Sequence, residues 1–315
     1  MANTKIKVLI SSRSFGKTGS EGMDILKNAG LEPVLNTTGK KLNEDELLKM
    51  ADGVVGIIAG TEKITKKVIS EVDSLKVISR YGVGIDNVDL DTAYQKGVLV
   101  FNTPDAPTDA VAELTLSLIL NLLRKICTSD SEIRKDSWKP QLGTLLSNKT
   151  VGILGLGKIG KKVVQLLSPF NAEFLVYEQK PDEEFVSKYS IDVVSLETLL
   201  AKSDVITIHL PSTEETYHII GKEEFSKMKK TAVLINTARG NLIDEASLYN
   251  SLKNGVIAGA GLDVFENEPY SGKLKELDNT ILTPHIGSST VETRKNMDIE
   301  SVNNLINGLK EAGVL

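Results

Sequence analysis

The stretch Ile281-Leu-Thr-Pro-His-Ile-Gly-Ser-Ser-Thr290 holds His285, one of only three histidines in 315 residues. Imidazole takes up and releases a proton near neutral pH, so His285 is a candidate general acid–base. On its own such a residue is more often a surface or helix-capping histidine, and the rest of the chain has to decide. A second stretch, Gly155-Leu-Gly-Lys-Ile-Gly160, follows the apolar run Thr150-Val-Gly-Ile-Leu154 and opens a helical pattern with Ile159, Val163, Val164, Leu166 and Leu167 on its inner face. In that setting Gly155 permits a tight turn, Gly157 lets a pyrophosphate approach the backbone at a helix N-terminus, and Gly160 allows close packing of helix on strand. Glu178 ends the next strand-like run, 18 residues after Gly160. A carboxylate there would accept hydrogen bonds from ribose hydroxyls and repel a 2′-phosphate. The Gly-Lys-Thr at residues 16–18 imitates a triphosphate-binding loop, but Ser11 stands where that loop requires glycine. Phosphoryl transfer from a nucleoside triphosphate is therefore not expected.

These residues need a scaffold, and the hydrophobic pattern supplies one. Strand-like runs at Ile6–Ile10, Val54–Ile58, Leu75–Ile78 and Val98–Phe101 alternate with helical patterns such as Asn43–Met50 and Lys66–Val72. A second series follows at 150–154, 173–177, 204–208, 232–236, 259–263 and 280–282. Alternation of this kind implies parallel sheets with right-handed crossovers, and the length implies about two domains. The expected fold is α/β, with two doubly wound parallel sheets. A formal charge of −5 without a basic stripe argues against a nucleic-acid partner. No apolar run reaches the roughly 20 residues of a membrane span. The start Met1-Ala-Asn-Thr-Lys-Ile-Lys lacks the apolar core of an export signal, so a cytoplasmic protein is expected. The single cysteine, Cys127, excludes intramolecular disulfides and a multi-cysteine metal site. It lies in an apolar stretch and reads as inert, and no metal is expected.

Taken together, Arg80-Tyr-Gly-Val-Gly-Ile-Asp-Asn-Val-Asp89, Asn102-Thr-Pro104, the glycine motif, His209-Leu-Pro211, Asn236-Thr-Ala-Arg-Gly240, Leu262-Asp-Val-Phe-Glu-Asn-Glu-Pro269 and Thr283-Pro-His-Ile-Gly287 resemble the D-isomer-specific 2-hydroxyacid dehydrogenases. The resemblance runs in order over nearly the whole chain. It implies a Rossmann NAD domain of residues 102–286 inserted in a flavodoxin-like substrate domain of residues 1–101 and 287–315, the two working by hinge closure. It also implies a catalytic group of Arg239, Glu268 and His285. In that group His285 would exchange the hydroxyl proton, Glu268 would fix its tautomer and favour the imidazolium, and Arg239 would offer a permanent cationic fork to the substrate carboxylate and carbonyl oxygen.

Around the cofactor, NAD, the resemblance places Gly155, Gly157, Lys158, Ile159, Gly160, Glu178, Leu210, Pro211, Thr216, Thr237, Ala238, Arg239, Asp263, His285, Gly287 and Ser288, with Asp263 near the nicotinamide. Val83 and Gly84 would turn backbone N–H groups toward the substrate carboxylate. His209 reads as a crevice wall and His218 as an ordinary helix-side residue, neither with a partner acid at a family position. For substrate, Arg13 and Arg80, the only arginines before residue 102, favour a phosphate-bearing pair. That pair would be 3-phosphoglycerate and phosphohydroxypyruvate, the oxidative entry to serine biosynthesis. Hydroxypyruvate or glyoxylate reduction is the alternative, and an NAD-sensing regulator related to corepressors is a more remote one. The run Ala112–Leu123 is apolar on more than one helical stripe, which a monomer's surface helix tolerates poorly; burial in the core is the alternative, and the resemblance implies a two-fold homodimer through this region with Trp138 near the partner.

Overall fold

The computed structural model describes residues 6–315, so part of the N-terminal stretch read for an export signal lies outside the described residues. The described residues form two compact units, one running up to Pro107 and joined by Ser288–Leu315, the other Thr108–Gly287. The expected crossings at 101/102 and 286/287 precede these divisions by a few residues, the first because the backbone turns into the second unit only where the helix Thr108–Arg124 begins.

The first unit is built on a sheet of β1 (Ile6–Ile10), β2 (Leu31–Leu35), β3 (Gly56–Ala59), β4 (Val77–Arg80) and β5 (Leu99–Asn102), in the order β2-β1-β3-β4-β5. Every pairing is parallel. β3 and β4 are buried throughout, as expected for central strands covered on both faces. β2 is an additional strand that the sequence pattern did not announce. Its Pro33 breaks the apolar run, yet an edge strand tolerates a missing N–H. One face of the sheet is covered by the helix Val291–Glu311, whose Met297, Val302, Leu305 and Leu309 pack with Val8, Ile10, Ile58 and Val77. On the other, the helix Glu44–Met50 starts at a capping box. There the Asn43 side chain accepts from the Glu46 N–H at 2.9 Å, and the Asn43 N–H donates to the Glu46 carboxylate at 3.0 Å.

The second unit carries β6 (Thr150–Leu154), β7 (Glu173–Tyr177), β8 (Asp192–Val193), β9 (Val205–Ile208), β10 (Val233–Asn236), β11 (Gly259–Leu262) and β12 (Thr280–Leu282). Their order is β12-β11-β10-β9-β6-β7-β8, all parallel. The order reverses between β6 and β9, which is where doubly wound sheets hold their ligands, beyond the carboxyl ends of the strands. Thr108–Arg124 packs Ala112, Leu118, Ile119 and Leu123 against Val151, Ile153, Val233 and Ile235, and Leu114, Leu116, Leu120 and Leu122 border the same core. Much of the double apolar stripe of residues 112–123 is thus accounted for inside its own unit. The residues that follow are different. The helix Ile126–Arg134 buries no side chain, and Trp138 and Leu142 are 85% and 93% exposed. Cys127, which lies in an apolar stretch of the sequence, is exposed as well. Ile126 beside it faces outward, whereas Leu123 four residues earlier is buried in the core. No helix among the described residues is long and apolar enough to cross a membrane.

Candidate active site

Three adjacent strands of the second unit, β10, β11 and β12, run into the residues able to do chemistry. After β10 the chain turns at Asn236, whose side-chain nitrogen donates to the Arg239 carbonyl at 2.7 Å while its oxygen accepts from the Ala238 N–H at 3.0 Å. Thr237 is anchored by a 3.0 Å contact with the Thr115 hydroxyl. The turn presents Arg239, whose Nη1 donates to the Ala238 carbonyl at 2.7 Å. Gly240 makes this placement possible. A Cβ there would lie 1.9 Å from the Phe265 carbonyl carbon, so only glycine lets the two backbones meet and sets Arg239 beside the Phe265–Glu268 loop.

After β11, Asp263 is almost fully buried and acts as a knot for the next loop. It accepts from the Thr283 hydroxyl at 2.6 Å, from the Ile286 N–H at 2.8 Å and from the Gly287 N–H at 2.8 Å. Burial is the largest influence on this carboxyl and raises it above the ordinary aspartate range, against the pull of those donors and of the His285 charge. The pinned loop carries His285 in the left-handed region, φ +55°, a conformation that costs a non-glycine residue about 1 kcal/mol or more. There Nδ1 of His285 lies 2.8 Å from Oε2 of Glu268, whose Oε1 accepts from the Phe265 N–H at 3.2 Å. An ionised carboxylate can only accept, so Nδ1 carries the proton and the lone pair of the neutral ring is on Nε2. Burial alone would raise the Glu268 carboxyl. The hydrogen bond and charge of His285, the Phe265 N–H and the Arg239 charge outweigh it and hold the group below the ordinary glutamate range. Arg239, Glu268 and His285 are therefore gathered at one edge of one sheet.

The glycine-rich turn sits at the carboxyl end of β6. Gly155 has φ +95°, and a Cβ on Gly160 would fall 2.2 Å from the Gly155 carbonyl, so turn and helix pack as the sequence requires. Above Gly157 the space is open. The helix Lys158–Leu167 begins there without a side-chain cap, leaving N–H groups of its first turn for an anionic ligand. Glu178 follows β7 and accepts from the Leu156 N–H at 2.9 Å and the Lys180 N–H at 3.1 Å. Burial works to raise its carboxyl, but the backbone donors Leu156, Lys180 and Gln179 prevail and lower it. Leu210 and Pro211 follow β9, and the Thr216 hydroxyl closes their loop by donating to the Pro211 carbonyl at 2.7 Å. With Thr237, Ala238, Asp263, His285 and Gly287, these positions line the carboxyl ends of β6, β7, β9, β10, β11 and β12, while Ser288 is the first residue of the other unit's closing segment. An open glycine, an uncapped helix start and a strand-end carboxylate fit a dinucleotide.

The other two histidines behave differently. His209 has its Nε2 at 2.9 Å from the Thr207 hydroxyl and its Nδ1 shut off from solvent without a partner. Burial pushes its pKa down to about 3, so it stays neutral and is no proton carrier near pH 7. His218 departs from expectation. It lies in a turn at φ +50° rather than on a helix, and its Nε2 pairs with Glu266 at 2.8 Å. Glu266 is 48 residues away in sequence and belongs to the same Phe265–Glu268 loop as the catalytic candidate Glu268. Asn236 was visible only as part of a motif, and nothing in its spacing announced that it shapes the Arg239 turn.

In the first unit Val83 and Gly84 stand in the turn after β4. The Val83 carbonyl accepts from the Asn102 side chain at 2.6 Å, and the Gly82 carbonyl from the Thr103 N–H at 3.0 Å. Arg13 is exposed, whereas Arg80 is only 8% exposed and directs Nε to the Asn87 side chain at 3.1 Å and Nη1 to the Tyr81 carbonyl. Of the two arginines expected to meet a phosphate, Arg80 is thus committed to its own chain.

Residues 116–287 match the model of the D-isomer specific 2-hydroxyacid dehydrogenase NAD binding domain. The glyoxylate reductase of Thermofilum pendens is 46% identical over 260 residues, which cover 79% of this chain and 76% of that protein. The D-3-phosphoglycerate dehydrogenase of Archaeoglobus fulgidus is 36% identical over 310 residues, 97% of this chain and 58% of that protein. Among solved structures, a glyoxylate reductase from Paecilomyes thermophila matches with a TM-score of 0.87 at 31% identity, covering 98% of this chain and 97% of that one. Agreement in family profile, in whole-chain sequence and in backbone makes this chain a member of the D-isomer specific 2-hydroxyacid dehydrogenase family, with that family's NAD-binding domain as its second unit.

Proposed function

We propose that the chain interconverts a small unphosphorylated 2-hydroxy acid and its 2-keto acid, of the glyoxylate or hydroxypyruvate kind, with NAD as the preferred dinucleotide. The observation that carries this reading is the 2.8 Å pair of His285 Nδ1 and Glu268 beside Arg239. Bound nicotinamide supplies the hydride donor in reduction and the acceptor in oxidation. His285 Nε2 removes the hydroxyl proton during oxidation and returns it to the carbonyl oxygen during reduction. Glu268 keeps the ring in the tautomer that leaves Nε2 free for this and stabilises the imidazolium. Arg239 holds the substrate carboxylate and meets the charge that develops on the carbonyl oxygen. The first unit serves as the substrate unit, with Val83 and Gly84 offering N–H groups to the carboxylate.

The phosphorylated pair is not preferred, because Arg80 is committed internally and the similar proteins include a glyoxylate reductase at 46% identity. Purified protein with NADH and a panel of 2-keto acids tests the reading. Loss of NADH absorbance with glyoxylate or hydroxypyruvate supports it, and NADH binding without substrate-dependent loss would favour a sensor instead.

Glu178 sets the cofactor choice. Its carboxylate takes ribose hydroxyls and opposes a 2′-phosphate, so kcat/KM for NADH should exceed that for NADPH by at least about tenfold, or about 1.4 kcal/mol. Glu178→Ser should narrow the gap. Equal specificity constants in the wild-type enzyme would mean that Lys180, beside it in sequence, compensates for the carboxylate.

Assembly follows from the segment of residues 126–145, where Ile126, Ile133, Trp138, Leu142 and Leu145 are all exposed. A cluster of large apolar side chains in one stretch marks an interface, and a two-fold dimer is the simplest closed arrangement. Light scattering should give twice the 34.2 kDa chain mass at micromolar concentration. A monomeric mass would contradict it.

A further inference from the structure

Glu62 is a buried carboxylate that none of the preceding chemistry uses. It is 2% exposed in the loop after β3, and its Oε1 accepts from both the Ser11 hydroxyl and the Gly60 N–H, the latter at 2.7 Å. A Cβ on Gly60 would lie 2.8 Å from Glu62 Oε2 and 3.1 Å from Ser12 Cα, so the carboxylate is pressed against glycine backbone. Ser11 follows β1 and Gly60 follows β3. These are the strands at which the order of the first sheet reverses, the place where a doubly wound sheet receives a ligand. A serine hydroxyl and a backbone N–H converging there make a cradle for an anion. The chain fills the cradle with its own.

The same network accounts for Arg80. Asn87 donates to the Glu62 carbonyl at 2.6 Å and the Gly60 carbonyl at 3.2 Å and accepts from Arg80 Nε. A Cβ on Gly82, which has φ +146°, would lie 2.5 Å from Arg80 Nη1, so the guanidinium folds back over the turn that leads to Val83 and Gly84. Arg80 braces that turn, and Glu62 takes the donors that a phosphate would need.

We propose that Glu62 is a specificity-determining residue that bars 2-keto acids carrying a second anionic group, phosphorylated ones above all. The proposal rests on the reading that the first unit receives the substrate. A phosphate brought to this edge meets a like charge and finds its donors taken, a repulsive element of the kind by which sites reject wrong ligands.

The test compares kcat/KM for phosphohydroxypyruvate and hydroxypyruvate, with NADH, in the wild-type enzyme and in Glu62→Gln and Glu62→Ser. The wild type should favour hydroxypyruvate by at least about tenfold, and each variant should shift the ratio toward the phosphorylated acid by at least about tenfold. A merely structural role would lower both constants and leave the ratio where it was, and that result overturns the proposal. Inorganic phosphate added to the wild-type enzyme gives a second readout that needs no variant to fold. It should not compete with hydroxypyruvate at millimolar concentration, and competition would show the cradle open to anions. An active enzyme with an unchanged ratio sinks the role of Glu62 alone. A wild-type enzyme that reduces no 2-keto acid sinks the functional reading and the proposal with it.

Discussion

His285→Ala is expected to lower kcat by about 10²–10⁴-fold, the range by which a positioned acid–base group accelerates proton transfer, while the Kd for NADH changes by only a few-fold. The separation is expected because the proposed reading puts the imidazole on the substrate hydroxyl and the dinucleotide at the β6 turn, where Gly157 is open and the Lys158–Leu167 helix starts without a side-chain cap. Steady-state kinetics paired with a fluorescence titration of NADH check both halves, and near-normal kcat would remove His285 from the reaction. Glu268→Gln should be milder and informative in pH. The carboxylate fixes the ring in the tautomer that leaves Nε2 to the substrate, so its loss should lower kcat by less than loss of the imidazole itself. The folded state holds Glu268 below its ordinary range. The stability it contributes is therefore fully present above the ordinary glutamate range and is lost as pH falls through the lowered folded value. The acid loss of stability should be smaller in Glu268→Gln, and an unchanged pH–stability curve would count against the pairing.

Arg239→Ala should reduce kcat/KM for the keto acid by about 10²–10³-fold, the loss that follows removal of a preorganised donor at a developing oxyanion. Arg239→Lys should recover only part of this, since an ammonium keeps the charge but not the planar fork that matches a carboxylate. Kinetics at saturating NADH measure it. A loss below about tenfold in Arg239→Ala would mean that the substrate carboxylate is held elsewhere. The turn itself should persist, because the Asn236 side chain and the close approach of Gly240 to Phe265 set its backbone.

Much of this was legible in the sequence because local rules and global fold agree. Runs such as Gly56–Ala59 and Val233–Asn236 are buried along their whole length, so their continuous apolar character announces central parallel strands without alternation. The glycines at 155, 157 and 160 and the strand-end Glu178 have fixed offsets within one β-helix-β unit, so spacing together with the apolar run before it and the helical pattern after it locates them. What escaped depends on contacts between distant segments. Pro33 hides β2 from a pattern search, although an edge strand accommodates it. Glu266 reaches His218 across 48 residues. Glu62 reaches Ser11 across 51, and nothing in Gly60-Thr-Glu-Lys63 distinguishes a buried anion from a solvated one. The two arginines of the first unit looked alike in sequence. The fold separates them, leaving Arg13 at the surface and turning Arg80 inward to brace the Tyr81–Gly84 turn.

The reaction assigned to the His285–Glu268–Arg239 group is tested most directly by following one hydride. Hydroxypyruvate reduced with NADH deuterated at the nicotinamide C4, on each face in turn, should yield D-glycerate carrying deuterium at C2 from one face and none from the other. L-glycerate, a racemate, or product without deuterium from either face would contradict the account.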